Sequence, residues 1–459
     1  MSGIGGGQAR PAGLGAAGTR FRHPARLVVA GFAVAAAVGA ALLSLPAAAE
    51  SGERTDVVDA VFTATSAVCL TGLVTVDTGS HWSAFGEVVV LLLMQAGGLG
   101  IMTLAALFAV LVSGRLRLRA QLVAQTESRH LGMDDLRRMV PGIIRFGLVC
   151  EAAVAAVLTA VFLTRYDRPP GTALYQGVFH GVSAFNNAGF STHRDSLASY
   201  AGDPWVCLPV AAAAVVGGLG FPVVFELVRS WRRPGDWSVL TRITVVLTVL
   251  LLALGTLVIT AAEYTNPGTL GRLGEGEKWL AGFFASAAAR SVGFNTVDVS
   301  AMGSESLLAT DVLMFIGGGS AGTAGGIKVT TLGLLAFVVW AEMRGDPGAR
   351  VGNRRVPEGN QRQALAIVLL GAGAVVVSTF AVLAMTDFSL DRVLFEVISA
   401  FATVGLSTGI TAELPAAAKV LLTVLMFAGR LGPLTLATAL ALRERARRYD
   451  LPEERIIVG

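Results

Sequence analysis

Phe395-Glu-Val-Ile-Ser399-Ala400-Phe-Ala-Thr403-Val404-Gly405 is one of four stretches of this chain that share a single pattern. The others are Phe62-Thr-Ala-Thr-Ser66-Ala67-Val-Cys-Leu-Thr71-Gly72, Phe179-His-Gly-Val-Ser183-Ala184-Phe-Asn-Asn-Ala188-Gly189 and Phe283-Phe-Ala-Ser-Ala287-Ala288-Ala-Arg-Ser-Val292-Gly293. In each stretch phenylalanine stands ten residues before the final glycine, serine or alanine six before it, and alanine five before it. Four copies in one register, spaced by roughly 110 residues, indicate internal fourfold repetition.

The composition places the chain in a membrane. Of its 459 residues 53% are hydrophobic and only 15% are charged, and the mean hydropathy is +0.65. A water-soluble protein cannot bury that much apolar surface. The 55 glycines suit closely packed and broken membrane helices. Cys69, Cys150 and Cys207 form no CxxC motif, so neither a zinc site nor a redox pair is indicated.

Each repeat is predicted to contain a leading helix, a short pore helix that precedes the glycine, and a trailing helix. The pore helices are too short to span a bilayer. We therefore expect an all-α integral membrane protein of four helix–pore-loop–helix repeats, with eight transmembrane helices and four re-entrant pore helices around one central pore per protomer. The predicted leading helices lie near 27–48, 140–164, 239–264 and 362–386, the pore helices near 57–67, 172–184, 277–288 and 390–401, and the trailing helices near 84–113, 205–229, 308–340 and 415–442.

The predicted domain boundaries follow these helices. Repeats 1 to 4 are expected at 25–114, 115–235 with a preceding basic linker, 236–345 and 346–442, and residues 1–24 and 443–459 are expected to be cytoplasmic tails, the first one disordered. A signal peptide is an alternative for Leu27–Leu45. It is less favoured, because the apolar run is long and each other repeat has an equivalent leading helix.

Basic loops predict the orientation. Arginines follow every trailing helix, whereas the opposite loops carry acidic residues such as Glu50, Glu53 and Asp56. The basic side is expected to be cytoplasmic. The prediction is a multi-pass protein of the cell membrane with both termini in the cytoplasm and filters entered from outside. The arginines of the basic loops are Arg115, Arg117, Arg119, Arg129, Arg137, Arg138, Arg229, Arg232, Arg233, Arg344, Arg350, Arg354, Arg355, Arg443, Arg445, Arg447 and Arg448.

The four glycine segments are predicted to form an ion-selectivity filter. A dehydrated monovalent cation needs several oxygen ligands at once, and backbone carbonyls supply them when four extended segments surround an axis. Four small-residue packing turns are the alternative, but four copies in register argue against it. Thr403-Val404-Gly405 also matches the start of the potassium-channel sequence TVGYG. The predicted K⁺ ligands are backbone carbonyls of Leu70, Thr71, Gly72, Asn187, Ala188, Gly189, Ser291, Val292, Gly293, Thr403, Val404 and Gly405.

A second glycine cluster follows each filter, and in repeat 3 it expands to Gly317–Lys328. Such a run cannot hold a helix, so an irregular intramembrane loop is predicted below the filter. A phosphate-binding loop is disfavoured, because Ile327 separates Gly326 from Lys328. The gate residues predicted here are Gly317, Gly318, Gly319, Gly322, Gly325, Gly326, Lys328 and Arg430.

Two arginines stand in unusual places. Arg430 takes the position that Gly98 and Gly218 hold in repeats 1 and 2. A mid-span arginine is costly and by default functional. We expect it to face the pore, where it repels cations or donates hydrogen bonds to the glycine loop; pairing with a buried acid such as Glu226 is the alternative. Arg290, three residues before Gly293, is expected to point behind the filter.

The expected partner of Arg290 is an acid, either Glu396 or Asp298.

These residues resemble the Trk/Ktr/HKT superfamily of potassium transporters, and within it the KtrB-type membrane subunits of bacterial Ktr systems. The resemblance runs from about residue 25 to the end. It rests on the four filter segments, on Gly325-Gly326-Ile327-Lys328-Val-Thr330-Thr331, on Gly429-Arg430-Leu431-Gly432-Pro433 and on Pro452-Glu-Glu-Arg455-Ile-Ile-Val-Gly459. Cys69, Leu70 and Val292 depart from the usual family residues and could alter selectivity.

The resemblance implies a potassium uptake subunit gated by the loop 317–328 and Arg430. It implies a homodimer with one pore per protomer, a cytoplasmic ring of KtrA-type nucleotide-binding subunits, K⁺ as the transported ion and Na⁺ as a candidate activator. The chain has no dinucleotide-binding fingerprint of its own, so a nucleotide is expected only on the partner. Membrane lipid is an expected partner, and nucleic acid and a cofactor in this chain are not expected.

Two alternatives stay open. A sodium-permeable or cation-coupled transporter, using Na⁺ or H⁺ symport, is the close one. A membrane enzyme is a more distant one and is not expected, because His23, His81, His130, His180 and His193 are scattered along the chain.

Overall fold

The computed structural model describes residues 24–123, 133–346, 348, 350–351 and 354–442. Two short strands, β1 Arg350–Val351 and β2 Arg354–Arg355, form an antiparallel hairpin. Apart from Pro24, the predicted tails lie outside these residues. The helices are α1 Pro24–Leu43, α2 Val57–Val68, α3 Thr78–His81, α4 Ala84–Val123, α5 Met133–Thr164, α6 Pro170–Phe185, α7 Pro204–Leu219, α8 Phe221–Ser230, α9 Val239–Glu263, α10 Glu275–Ala288, α11 Ser304–Phe315, α12 Val329–Arg344, α13 Glu358–Leu383, α14 Leu390–Ala402 and α15 Ala416–Leu442.

Helices occur at all the positions that the repeat pattern predicts. The leading helices are α1, α5, α9 and α13, and the short helices that end just before the filter segments are α2, α6, α10 and α14. Helix α1, for which a signal peptide was the alternative, packs against α2 and α4, and Leu43 at its end is fully buried. It therefore belongs to the packed core of repeat 1.

The trailing helices differ from the prediction in repeat 2. One helix near 205–229 was expected, but α7 ends at Leu219 and α8 leaves at an angle of 103°. Gly220 makes the break with a φ of +89°, a conformation that only glycine adopts freely. Pro222 then occupies the first turn of α8, where its missing N–H costs nothing. The expected irregular segment in repeat 3 is confirmed, since 316–328 separates α11 from α12.

Several helices are long and apolar enough to cross a membrane. Within the described residues there are four, and a fifth if the bent pair α7–α8 counts as one span. Together with the composition, they make this an all-helical, multi-pass membrane protein with a bent helix pair. The four are Ala84–Thr103, Val140–Thr164, Val239–Glu263 and Glu358–Leu383.

The four repeats close into a ring. The short helix of each repeat packs on the trailing helix of the repeat before it: α6 on α4, α10 on α7, α14 on α11, and α2 on α15. The last contact joins repeat 4 to repeat 1, and there the Lys419 ammonium lies 3.0 Å from a carboxylate oxygen of Asp59. This cyclic order brings the ends of all four short helices to the centre of the molecule.

Candidate functional site

The four glycine segments share one unusual backbone conformation. Each filter glycine has a positive φ, between +72° at Gly189 and +97° at Gly405. The residue two positions earlier is also left-handed although it is not glycine. Such conformations persist only where the surrounding structure imposes them, and they are typical of functional sites. The non-glycine residues are Leu70, Asn187, Ser291 and Thr403, with φ values of 56°, 57°, 76° and 49°.

The four glycines meet around a common axis. A Cβ added to Gly72 would lie 2.5 Å from the Ala188 carbonyl oxygen, and one added to Gly405 would lie 2.2 Å from the Thr71 carbonyl oxygen. Gly189 and Gly293 are equally close: a Cβ added to either glycine would lie 2.8 Å from the Cα of the other. No side chain fits in this ring, so backbone alone lines it.

A serine hydroxyl supports the filter in three repeats. In repeat 1 the Ser66 hydroxyl donates to the Leu73 carbonyl (2.8 Å) and accepts from the Gly72 N–H (3.1 Å). Ser183 donates to the Phe190 carbonyl (2.8 Å), and Ser399 accepts from the Gly405 N–H (3.1 Å). These hydroxyls hold the backbone on either side of the filter glycine.

Repeat 3 lacks this serine and is supported differently. Alanine stands at 287, and the Val292 N–H donates to the Ala288 carbonyl four residues earlier. In the other repeats the equivalent N–H reaches back five residues, as from Thr71 to Ser66. The fully buried phenylalanine is also shifted by one position, to Phe284. The third segment is therefore the irregular member of the ring.

The loop 317–328 lies directly against the filter and is closed at its base. The Gly317 N–H donates to the Ile327 carbonyl (2.9 Å), and the Val329 N–H donates to the Gly318 carbonyl (3.0 Å). Farther along, the Thr323 N–H donates to the Gly217 carbonyl of α7 (3.0 Å). The Thr323 hydroxyl donates to the Phe185 carbonyl at the end of α6 (3.2 Å), so the loop touches the repeat 2 filter segment.

Arg430 holds the middle of this loop. One Nη donates to the Thr323 carbonyl over 2.6 Å, and the side chain is buried. Its Nε and second Nη have no partner in the structure. The alternative of pairing with Glu226 is wrong. The Glu226 carboxylate, in α8, accepts hydrogen bonds from the hydroxyls of Ser238 and Thr241 at the start of α9. Lys328 donates to the Ala324 carbonyl within the loop.

The expectation of an acid beside Arg290 is wrong as well. One Nη donates to the Thr248 carbonyl of α9 and the other to the Gly317 carbonyl at the start of the loop, each over 3.2 Å. The two expected acids bind elsewhere. Glu396 accepts a hydrogen bond from the Thr408 N–H, and Asp298 accepts one from the Ser300 N–H. The side chain does point behind the filter, but it binds carbonyl groups of helix and loop.

Comparison with known proteins assigns the family. Residues 20–448 match the TrkH family, described as cation transport proteins. The chain belongs to this family. It is 40% identical to the Ktr system potassium uptake protein B of Vibrio alginolyticus, over 95% of this chain and 94% of that one. It is 33% identical to the potassium/sodium uptake protein NtpJ of Enterococcus hirae, over 95% and 97%.

The fold comparison agrees with this assignment. The crystal structure of the potassium transporter TrkH from Vibrio parahaemolyticus superposes with a TM-score of 0.72 at 19% identity, covering 92% of this chain and 86% of that one. The family match and the relatives confirm the resemblance to the Trk/Ktr superfamily. The TrkH family is a transporter family, which also confirms that the chain is not an enzyme.

Sequence reasoning missed a pair of buried groups behind the filter of this TrkH-family chain. His180 and Glu396 stand nine residues before Gly189 and Gly405, in two repeats that face each other across the ring. The His180 ring contacts the Ser191 hydroxyl (3.0 Å), and Glu396 accepts from the equivalent Ser407. The sequence contained a signal for this, because the two pairs occupy the same positions relative to Gly189 and Gly405. One member stands nine residues before the glycine and the serine stands two residues after it.

The histidines are less scattered than their spacing suggested. The rings of His180 and His193 stack with centroids 4.9 Å apart. Within the described residues, however, no group of three or more His, Cys, Asp or Glu side chains could hold a metal ion.

Proposed function

We propose that this chain is the membrane subunit of a potassium uptake system, and that K⁺ passes through the ring formed by the four glycine segments. The observation that carries the proposal is the convergence of Gly72, Gly189, Gly293 and Gly405, with neighbouring carbonyls, around one axis that no side chain can enter. The potassium uptake named for the Vibrio alginolyticus relative supports the same ion.

The chemistry of this ring suits a partly dehydrated cation. Carbonyl oxygens from four segments replace the hydration shell of the ion, and the twelve filter residues predicted above supply them. An inside-negative membrane potential contributes about 2.3 kcal/mol per charge per 100 mV. That is enough to drive uptake without ATP hydrolysis in the chain itself.

The proposed gate is the loop 317–328 together with Arg430. Its glycines pack so closely that an added Cβ at Gly317 would lie 1.8 Å from the Gly325 carbonyl oxygen. The Arg430–Thr323 hydrogen bond supports a closed position of the loop below the filter. Cytoplasmic nucleotide-binding subunits of the KtrA type would displace the loop through α12, which follows it directly.

We also propose the topology and the assembly that the sequence predicts. The chain has eight spans and four re-entrant helices in repeats at 25–114, 115–235, 236–345 and 346–442. Both termini are cytoplasmic, the protein lies in the cell membrane, and two protomers form a homodimer with separate pores. The name of the Vibrio alginolyticus relative, a Ktr system protein, supports partner subunits.

Uptake in a bacterium without its own potassium transporters tests the function. Cells that express the chain with a KtrA-type subunit should grow at low external K⁺ and accumulate K⁺, and cells with an empty vector should not. Absence of net K⁺ uptake by protein that is shown to be inserted in the membrane would reject the proposal.

A sodium-permeable transporter is the second candidate, and the potassium/sodium uptake protein at 33% identity favours it. The same cells distinguish the two. Na⁺ uptake comparable to K⁺ uptake, or K⁺ uptake that requires external Na⁺, would select this candidate.

A further inference from the structure

One serine hydroxyl lies between the intramembrane loop and the filter. The Gly325 N–H of the loop donates to Ser291 Oγ over 2.8 Å, and Ser291 Oγ donates to the Thr403 carbonyl over 2.9 Å. Ser291 and Thr403 are both fully buried. The contact thus runs from the loop, through the side chain of the third filter segment, to the backbone of the fourth.

The direction of this pair of hydrogen bonds is determined by its two ends. An amide N–H can only donate and a carbonyl can only accept, so the single hydroxyl proton of Ser291 must point to Thr403. A hydroxyl that accepts a hydrogen bond becomes a stronger donor. The loop amide therefore strengthens the bond that orients the Thr403 carbonyl, and removal of the loop weakens it.

The loop cannot move without breaking this contact. A Cβ added to Gly325 would lie 1.9 Å from Thr403 Oγ1 and 2.3 Å from the Ala402 carbonyl oxygen. The backbone of the loop is therefore in direct contact with the end of α14 and the start of the fourth filter segment. Displacement of the loop separates Gly325 from Ser291 and at the same time uncovers Thr403.

Repeats 1 and 2 have no comparable arrangement at the equivalent position. Leu70 has no hydroxyl. The Asn187 amide, oriented to satisfy its surroundings, donates to the Ala214 and Ala184 carbonyls of its own repeat. The link from a filter side chain to both the loop and the next filter segment therefore distinguishes the irregular third segment from the first two.

We propose that Ser291 is a positioning residue that couples the loop to ion selectivity. With the loop in place, its hydroxyl holds the Thr403 carbonyl in one orientation. With the loop displaced, that hydrogen bond weakens, the carbonyl is held less firmly, and discrimination between K⁺ and Na⁺ falls. The inference rests on the proposed filter and gate, and it adds that the state of the gate changes the filter.

The test combines Ser291→Ala with a shortened loop that lacks residues 320–322. Discrimination is measured as inhibition of ⁸⁶Rb⁺ uptake by K⁺ and by Na⁺ in proteoliposomes. With the loop intact, Ser291→Ala should lower K⁺/Na⁺ discrimination about threefold to tenfold, the effect of one buried hydrogen bond. With the loop shortened, discrimination should already be low, and Ser291→Ala should change it less than about twofold.

Ser66→Ala is the matched control, because both hydrogen bonds of its hydroxyl within the described residues are to the repeat 1 filter segment. It should lower discrimination equally in both loop backgrounds. Ser291→Gly is the second variant if the alanine protein does not fold, since glycine accepts the φ of 76° at this position.

Discrimination that is unchanged by Ser291→Ala, or that falls equally with either loop, would overturn the coupling. A wild-type protein that carries no ⁸⁶Rb⁺ or K⁺ would instead overturn the proposed function. The shortened-loop protein could conduct at the wild-type rate while Ser291→Ala still shows the expected non-additive effect on discrimination. That result would reject the loop as the gate and support the coupling.

Discussion

At the scale of single residues, the filter depends on a glycine that no other residue can replace and, in three of the four repeats, on a serine hydroxyl. Gly405 combines a φ of +97° with a neighbouring carbonyl oxygen only 2.2 Å from any added Cβ. The serine six residues before the glycine supplies the hydroxyl that holds the backbone in this conformation. Glycine provides the space and serine provides the support, so replacing the glycine should disturb the ring directly and replacing the serine should also lower the stability of the fold.

Replacing Gly405 with serine should reduce K⁺ uptake at least about tenfold or relax its preference over Na⁺, because the added Cβ forces the ring apart. Gly373→Ser is the control, since nothing lies within 4 Å of a Cβ at that exposed position of α13. Uptake and ion preference are measured in the transporter-deficient strain. Wild-type K⁺ uptake and ion preference in the Gly405→Ser variant would contradict the proposed filter.

Ser66→Ala should destabilise the protein, besides lowering ion discrimination. It removes two buried hydrogen bonds, to Leu73 and from Gly72, with an expected cost of about 1–2 kcal/mol in the free energy of unfolding. The melting temperature in detergent should fall, and added K⁺ should recover part of the loss. A melting temperature equal to that of wild type would show that the hydroxyl is dispensable.

At the scale of elements, the loop between α11 and α12 is held from three sides. Arg290 donates to the Gly317 carbonyl, Arg430 donates to the Thr323 carbonyl, and Ser291 accepts from the Gly325 N–H. Hydrogen bonds to charged groups contribute more than neutral ones, about 1.5–3 kcal/mol each. The two arginines are therefore the strongest contacts that hold the loop at the filter.

Arg430→Ala should raise flux about tenfold and weaken its dependence on the regulatory subunit, because the closed position of the loop loses a charged hydrogen bond. Arg430→Lys keeps the charge but loses the planar guanidinium group, so its flux should lie between those of the wild type and Arg430→Ala. Flux is measured in proteoliposomes with and without the regulatory subunit. Lower flux from well-folded Arg430→Ala protein would place the gate elsewhere.

At the scale of the whole molecule, the contacts between successive repeats close the chain into a ring. The first and last repeats close through α2 and α15, with Lys419 and Asp59 paired at the contact. All four short helices point their C-terminal ends at one filter, so the two sides of the molecule are unlike. We propose that the basic loops face the side away from the filter entrance, and this orientation has a direct test.

Cysteines at Glu53 and Arg194 should react with an impermeant thiol reagent added outside intact cells, whereas cysteines at Arg233 and Glu342 should react only after the cells are opened. All four positions are exposed. The unaltered chain is the control, because Cys69 and Cys207 are buried and Cys150 is partly buried. The reverse labelling pattern would invert the proposed topology.

The sequence by itself determined the fourfold repetition, the helix positions and the glycines of the ring, because these depend on local backbone preference and on a pattern read at fixed spacing. It also located the irregular loop 317–328, since a run of glycines cannot hold a helix. Only the tertiary structure decided the break at Gly220 and the partners of Arg290 and Arg430. Those partners are backbone carbonyls, which every residue carries, so no pattern of side chains could distinguish one from another before the repeats closed into a ring.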